Sequence, residues 1–364
     1  MEPTQVPPQT ALSRRLAALP RDLNALLAAA AALFIAVASW YLLKELAPLL
    51  RPLVLAVFLA YRILPAHQAL RKRVDARFAG PLLALLMAMA LIGLALLIYS
   101  NLVDLNAELP QLIERGQRLI ERLQTWGSAH LPTWAVHAVP DTARVEAEAT
   151  ARIKAVTSYL VSAASSFLGE AILVSLYMIF LLFEVGRLPD RVRSGFSADH
   201  ADRLLAMAAS INHAVSSYIR AKAIASFITA LPVVVILWAF GVSFPGMWGV
   251  LAFIGNFIPY VGSLVALLLP VTLAFLELEP VSRPLTILAL LVASQFVINN
   301  FVEPRLTARA VDLSPLVVLI ALTFWGLCWG VVGMVLAIPL TVVLKIVWET
   351  IPLTRPLARL MAEE

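Results

Sequence analysis

Residues 246–276 have the sequence GMWGVLAFIGNFIPYVGSLVALLLPVTLAFL, an apolar run of 31 residues. A straight helix needs only about 20 residues to cross a bilayer, so this run is too long for one ordinary crossing. It is interrupted near its middle by GNFIPYVG at residues 255–262, where proline removes a backbone donor and glycine loosens the helix. We therefore expect a broken or re-entrant helix here.

A second apolar run, residues 313–347, has 35 residues and a similar interruption. Each run follows one ordinary span, residues 224–240 and 285–301, which suggests a weak internal repeat of a span plus a broken run. Paired breaks of this kind are typical of discontinuous helices around a transporter's substrate site. The predicted helix breaks are Gly255 in the first run and Gly326, Gly330, Gly333 and Pro339 in the second.

The charges beside the two runs bear on how the runs lie in the membrane. If each run crosses once, Arg305 and Arg309 fall outside and Glu277 and Glu279 fall inside. If each run is a re-entrant hairpin, these sides exchange and the two halves become inverted relative to each other. The hairpin arrangement obeys the positive-inside rule better, and both arrangements place both termini in the cytoplasm.

The composition of the whole chain indicates a membrane protein. Of its 364 residues 61% are hydrophobic and only 14% are charged, whereas soluble domains carry about 25% charged residues. We predict an all-α polytopic membrane protein with about 6–8 transmembrane helices, two broken or re-entrant apolar segments and one polar helical insert. The net charge of +5 is not interpreted as nucleic-acid binding, because the arginines lie in short loops where they set topology.

The segments are predicted in the following order: a cytoplasmic tail (1–22), three transmembrane helices (23–100), an extracytoplasmic insert (101–166), a fourth helix with a cytoplasmic linker (167–222), a transport core (223–350) and a cytoplasmic tail (351–364). The first span is expected to be an uncleaved helix rather than a signal peptide. In the insert, leucines at 102, 105, 109, 112, 119 and 123 predict an amphipathic helix, and Asp141 is a candidate N-cap for a second. The insert is either an oligomerisation or gating element or a helical hairpin resting on the membrane.

Polar residues at membrane depth are expensive and are therefore functional candidates. They cluster near the first break and at the end of the span 285–301. A carboxylate at Glu303 could carry a coupling proton or bind a cation, although a structural ion pair with Arg305 is an equal alternative, and the asparagines could instead join helices. The candidate substrate- or ion-binding residues are Asn256, Pro259, Tyr260, Gly262, Ser263, Gln295, Asn299, Asn300, Glu303 and Arg305.

No arrangement of residues typical of an enzyme is visible. The single cysteine, Cys328, excludes an internal disulfide and a cysteine-based metal site, and the five histidines are scattered. There is no phosphate-binding loop, no His-Glu-x-x-His and no nucleophile motif. We expect no enzymatic activity, no catalytic residue, no cofactor and no metal.

Four motifs together resemble one membrane-protein family. They are FIPYVG (257–262), NFVEPR (300–305), LSPLV (313–317) and GMVLAIPL (333–340), and their order and spacing are similar to the autoinducer-2 exporter (AI-2E) family. The resemblance implies an oligomeric protein of the bacterial inner membrane. It also implies transport, since members are linked to export of a small furanosyl signal and others resemble sodium/proton antiporters. Two departures are Ser263, where proline is frequent, and residues 218–222, where a Gly-Gln pair is common.

The function expected from these observations is that of a secondary transporter or permease exporting a small polar solute such as a quorum-sensing signal. A sodium(cation)/proton antiporter is the alternative within transport, and a non-transporting scaffold or regulator built on the insert is the alternative of another class. The expected partners are membrane lipid, a small polar solute or a cation, and further copies of the chain, but not nucleic acid. The expected location is the bacterial inner (plasma) membrane.

Overall fold

The computed structural model describes residues 21–70, 76–130, 142–184, 186–259, 261–307 and 312–362. The chain divides into two compact units, residues 1–50 and 51–364. The helices within the described ranges are α1 (Arg21–Glu45), α2 (Ala47–Leu70), α3 (Ala76–His130), α4 (Thr142–Glu184), α5 (Leu188–Gly195), α6 (Ala198–Phe240), α7 (Pro245–Gly255), α8 (Val261–Glu277), α9 (Ser282–Val297), a π-helical turn (Ile298–Val302), α10 (Glu303–Thr307), α11 (Pro315–Thr350) and α12 (Arg355–Leu360).

Six of the described helices are long and apolar enough to cross a membrane, and shorter apolar helices accompany them. The described residues form no strand. This confirms the predicted class of an all-α polytopic membrane protein. In the first unit, α1 exposes Leu33, Phe34 and Ile35 by 63–73%. An apolar helix that is exposed in this way suits a lipid environment, which accepts such side chains without cost.

The predicted insert is a continuation of two spanning helices. α3 has 55 residues and α4 has 43, so α3 alone is about 80 Å long and exceeds the bilayer thickness by far. Neither helix ends at the predicted segment boundaries of residues 100 and 166. The predicted leucine face is present, because Leu102, Leu105, Leu109 and Leu112 are all buried. The candidate N-cap at residue 141 lies outside the described residues.

The first over-long run folds back on itself as α7 and α8. Its two ends meet, because the backbone N–H of Ser243 donates to Oε2 of Glu277 at 2.9 Å. The two arms also meet near the turn, where a Cβ added to Gly262 would overlap the carbonyl oxygen of Gly255. We call residues 245–277 the first hairpin.

The second over-long run is also a hairpin, bent within α11 at Gly330, whose φ and ψ are 65° and −144°. Ala321 and Ala337 pack in one cluster although 16 residues of helix, about 24 Å, would separate them in a straight rod. At the other end, Nζ of Lys345 donates to the carbonyl oxygen of Asp312 at 2.7 Å. We call residues 315–350 the second hairpin.

The predicted breaks in the second run need a correction. Only Gly330 has a non-helical backbone within α11, so Gly326, Gly333 and Pro339 are not breaks. Gly326 and Gly333 instead lie where the arms approach, since a Cβ at Gly333 would meet the backbone of Trp325. Pro339 is buried within the second arm. One left-handed glycine is enough to reverse the chain, and the other glycines provide room for the reversal.

The hairpins start from opposite ends of the span between them. The first hairpin leads into α9 at Ser282, and the second follows the end of α10 at Thr307. The 26 residues between these points correspond to roughly 39 Å of helix, more than the hydrocarbon thickness. The single-crossing alternative is therefore wrong, and the two hairpins enter the fold from opposite sides.

Candidate functional site

The two hairpins and α6 meet around the turn of the first hairpin. Asn256, which caps the C-terminal end of α7, is buried and its Nδ2 donates to Oγ of Ser226 on α6 at 3.1 Å. Ile258 in the same turn packs with Ala321, Leu322 and Ala337 of the second hairpin. The turn of one re-entrant hairpin thus lies against both a spanning helix and the other hairpin.

An ion pair lies one helical turn from this contact. Nζ of Lys222 on α6 donates to Oε1 of Glu303 at the start of α10. The side chains are only 6% and 22% exposed. Lys222 precedes Ser226 by four residues, so both side chains lie on the same face of α6. The α6 face therefore carries a charged contact to α10 beside a neutral contact to the first hairpin.

The π-helical turn at residues 298–302 sets the direction of Glu303. The backbone N–H of Glu303 donates to the carbonyl oxygen of Ile298, a spacing of five residues instead of four. The extra residue rotates the helix, so that Glu303 lies on the same face as buried Ile298 and not on the face of Asn299. Asn299 precedes Glu303 by four residues, which would place both on one face of a regular helix, but here Asn299 is exposed and Glu303 is half-buried. Such π-turns are frequent at functional sites.

Two buried polar atoms have no hydrogen-bond partner among the described residues: Oη of Tyr218 on α6 and Oε1 of Gln295 on α9. Tyr218 packs against Leu313, Ile338 and Val342 at the second hairpin. Gln295 lies on the buried face of α9. Because a buried polar group without a partner costs about 1–3 kcal/mol, such atoms mark places where a ligand or water supplies the missing contact.

The structure brings together some of the predicted site residues and separates others. Asn256, Gln295 and Gly262 are buried, whereas Pro259, Ser263 and Glu303 are half-buried. Asn299, Asn300 and Arg305 are exposed on the outer side of their helices, and Nδ2 of Asn300 donates to its own helix at the carbonyl oxygen of Phe296. Tyr260 lies outside the described residues.

Sequence reasoning missed the α6 side of the site. Lys222, Ser226 and Thr229 are all buried and follow one another at spacings of four and three residues, which is one helix face. Our segmentation placed Lys222 at the end of a cytoplasmic linker, but α6 is continuous from Ala198 to Phe240. A polar stripe entering an apolar span was the signal that could have identified these residues.

A separate cavity lies at the base of the first hairpin. It has a volume of about 420 Å³ and is lined by Arg115, Arg118 and Arg122 of α3 and by residues 275–281. Its floor contains an ion pair in which Arg122 Nη1 lies 2.6 Å from Oε1 of Glu279. This contact places the insert and the base of the first hairpin on the same side of the membrane, as the hairpin arrangement predicts.

Two re-entrant hairpins that enter from opposite sides and meet at a buried polar contact are an architecture typical of polytopic secondary transporters with inverted repeats. The family model described as "AI-2E family transporter" matches residues 28–353. The chain therefore belongs to the AI-2E transporter family, and the predicted family membership is confirmed.

Individual relatives match over shorter stretches. A "Putative transport protein" of Borreliella burgdorferi is 30% identical over 43% of this chain and 43% of its own length. The "AI-2 transport protein TqsA" of Escherichia coli is 35% identical over 42% of this chain and 44% of its own length. A more distant relative, the "Sodium-lithium/proton antiporter" of Halobacillus andaensis, is 26% identical over 42% and 43%. The alignments thus span less than half the length of these relatives.

Proposed function

We propose that this protein is a secondary transporter of the bacterial inner membrane that exports a small polar solute. Two observations carry the proposal: the junction of the two hairpins with α6, where Asn256 contacts Ser226, and the unpartnered oxygen of Gln295 on the buried face of α9. Carboxamide and hydroxyl groups bind a polar solute without adding a net charge. The proposed binding residues are Asn256, Gln295, Ser226 and Tyr218.

Alternating access would come from the hairpins. Each enters from its own side, and the turn of the first packs against α6 and the second hairpin, so displacement of one hairpin would open this junction. This agrees with transporters in which one repeat moves against the other around a fixed site. A quorum-sensing furanosyl signal is the first solute to test, because one relative carries the name of an AI-2 transport protein.

The proposed orientation places both termini in the cytoplasm. With the runs now seen as hairpins, Glu277 and Glu279 lie on the same side as the insert, which bears no positive excess, and Arg305 lies on the opposite side. That distribution follows the positive-inside rule. Cysteine accessibility at residues 278 and 306 in intact cells tests it: residue 278 is expected to react from outside and residue 306 is not.

The flux experiment uses the full chain in proteoliposomes with a panel of polar solutes. Wild type is expected to move at least one solute that empty vesicles retain. Gln295→Leu is expected to reduce that flux about tenfold, since it removes a buried hydrogen-bond acceptor. The matched control is Gln111→Leu, the same substitution at an exposed position of α3, which is expected to retain the flux. Equal flux in both variants would place the solute elsewhere.

A sodium(cation)/proton antiporter is the second candidate, favoured by the half-buried carboxylate of Glu303 and by the antiporter relative. It requires sodium-driven proton movement, read with a pH-sensitive dye, that is abolished in Glu303→Gln. No such movement in wild type eliminates this candidate. If no solute moves and the insert binds a partner protein, the scaffold alternative replaces both.

A further inference from the structure

The ion pair between Lys222 and Glu303 bears on which ion, if any, drives this transporter. The two groups join α6 to α10 beside the junction of the hairpins, and the lysine side chain is only 6% exposed. The carboxylate of Glu303 is 22% exposed, and a carboxylate that is partly withdrawn from water is stabilised by a counter-charge, either from the protein or from a bound cation. In this chain the counter-charge is covalently part of α6.

We propose that the ammonium group of Lys222 occupies the position that a monovalent coupling cation would take at Glu303, so that this chain carries its solute without sodium or lithium. The inference rests on the proposed transport function and concerns the same site. An ammonium is a compact point charge of the same sign as such a cation. A second cation would therefore meet a like charge at hydrogen-bond distance from the carboxylate.

The surroundings of the pair support this assignment. The next turns of α6 on either side contribute only neutral oxygens, the Tyr218 hydroxyl four residues before Lys222 and the Ser226 hydroxyl four residues after it. Ser226 already accepts a hydrogen bond from Asn256. The π-helical turn directs Glu303 towards this face of α6. The departure from regular helix at this turn thus directs the carboxylate of Glu303 towards Lys222.

The assignment makes a prediction about cation binding that needs no knowledge of the solute. We would measure the apparent melting temperature of the purified full chain in NaCl and in LiCl against choline chloride at constant ionic strength. Wild type and Lys222→Arg keep the positive charge. For each of them, the melting temperature is expected to be the same in all three salts. Lys222→Ala is expected to show a saturable upward shift in NaCl or LiCl, because a ligand that binds only the folded state stabilises it by mass action.

The double variant Lys222→Ala/Glu303→Gln is the control for the site. It removes the carboxylate along with the lysine and is expected to lose the salt-specific shift. Two outcomes overturn the inference: a sodium- or lithium-specific shift in wild type that Glu303→Gln abolishes, or a Lys222→Ala variant that folds and responds equally to all three salts. If Lys222→Ala does not purify, equilibrium binding of radioactive sodium to wild type is measured instead. Sodium binding that is lost in Glu303→Gln overturns the inference. No sodium binding to wild type supports it.

Solute flux by wild type in vesicles without sodium or lithium supports both this inference and the proposed function. Flux that requires sodium contradicts the cation substitution and leaves the transporter proposal intact. No flux of any solute, with the expected melting behaviour, contradicts the transporter proposal and leaves the assignment of Lys222 intact.

Discussion

The two hairpins share one design but reverse the chain by different means. The first reverses between α7, which ends at Gly255, and α8, which begins at Val261, and its arms touch through the backbones of Gly255 and Gly262. The second reverses at Gly330 alone, through a positive φ. The first therefore depends on a close approach of two backbones, and the second depends on one residue's dihedral angles.

The two hairpins also differ in what holds them. Met247, Trp248 and Ala252 of the first hairpin belong to a core cluster of 17 buried residues that they share with α3, α6 and α9. The second hairpin packs instead in two smaller clusters, with Tyr218 of α6 and with Ile258 of the first hairpin, and its beginning is tied to the C-terminal tail, where Ser314 N–H donates to the carbonyl oxygen of Met361 at 3.0 Å. This comparison predicts that damage to the first hairpin affects the whole fold and damage to the second remains local.

The largest effect is expected from Gly262→Ala. The added Cβ would overlap a backbone carbonyl of the other arm, which cannot move aside as a flexible side chain can. Overpacking of this kind costs about 3 kcal/mol or more. We expect little monodisperse protein in size-exclusion chromatography. The control is Gly246→Ala in the same hairpin, where a Cβ meets nothing within 4 Å. Normal behaviour of Gly262→Ala would show that the arms do not touch here.

The next effect is expected from substitutions at Gly330. An added Cβ meets no neighbour there, so the cost comes from the backbone, whose φ of 65° and ψ of −144° are almost confined to glycine. We expect both Gly330→Ala and Gly330→Asn to lose about 2 kcal/mol, seen as a lower apparent melting temperature. Gly241→Asn is the control, because φ 74° and ψ 28° are left-handed helical values that asparagine tolerates. Equal tolerance at both positions would contradict the tight turn at Gly330.

Much of this fold could be predicted because its signals are local. The length of the two runs, the glycine and proline at residues 255–262 and the leucine face of the insert each follow from spacing alone. The direction of Glu303 could not be predicted, since the π-helical turn that sets it leaves no mark in residues 298–302. Lys222 was missed because a basic residue at the edge of a span is typical of a topology signal, and only its partner across 81 positions shows otherwise.

A smaller effect is expected at the base of the second hairpin. Lys345→Met keeps the aliphatic side chain but removes the donor to Asp312, whose carbonyl oxygen and Oδ2 lie 2.7 and 2.6 Å from Nζ. Loss of these bonds is worth about 1 kcal/mol. Amide hydrogen exchange is expected to rise in residues 313–350 and to stay unchanged in residues 245–277. Glu277→Gln is the control at the base of the first hairpin, because its amide oxygen can still accept the hydrogen bond from the backbone N–H of Ser243. Faster exchange throughout the chain would refute local damage.

The smallest effect is expected from Arg122→Ala, which removes the ion pair between the insert and Glu279 at the base of the first hairpin. Both side chains are more than 60% exposed, so the pair is worth no more than about 1 kcal/mol and salt screens it. Exchange at residues 277–282 is expected to rise slightly at low salt and to match wild type at high salt. Arg118→Ala, on the same helix but paired with Glu114 within α3, is expected to leave these amides unchanged. A large effect of Arg122→Ala that persists at high salt would mean that contact with the insert stabilises the first hairpin strongly. The position of the first hairpin would then depend on α3 more than on the apolar core.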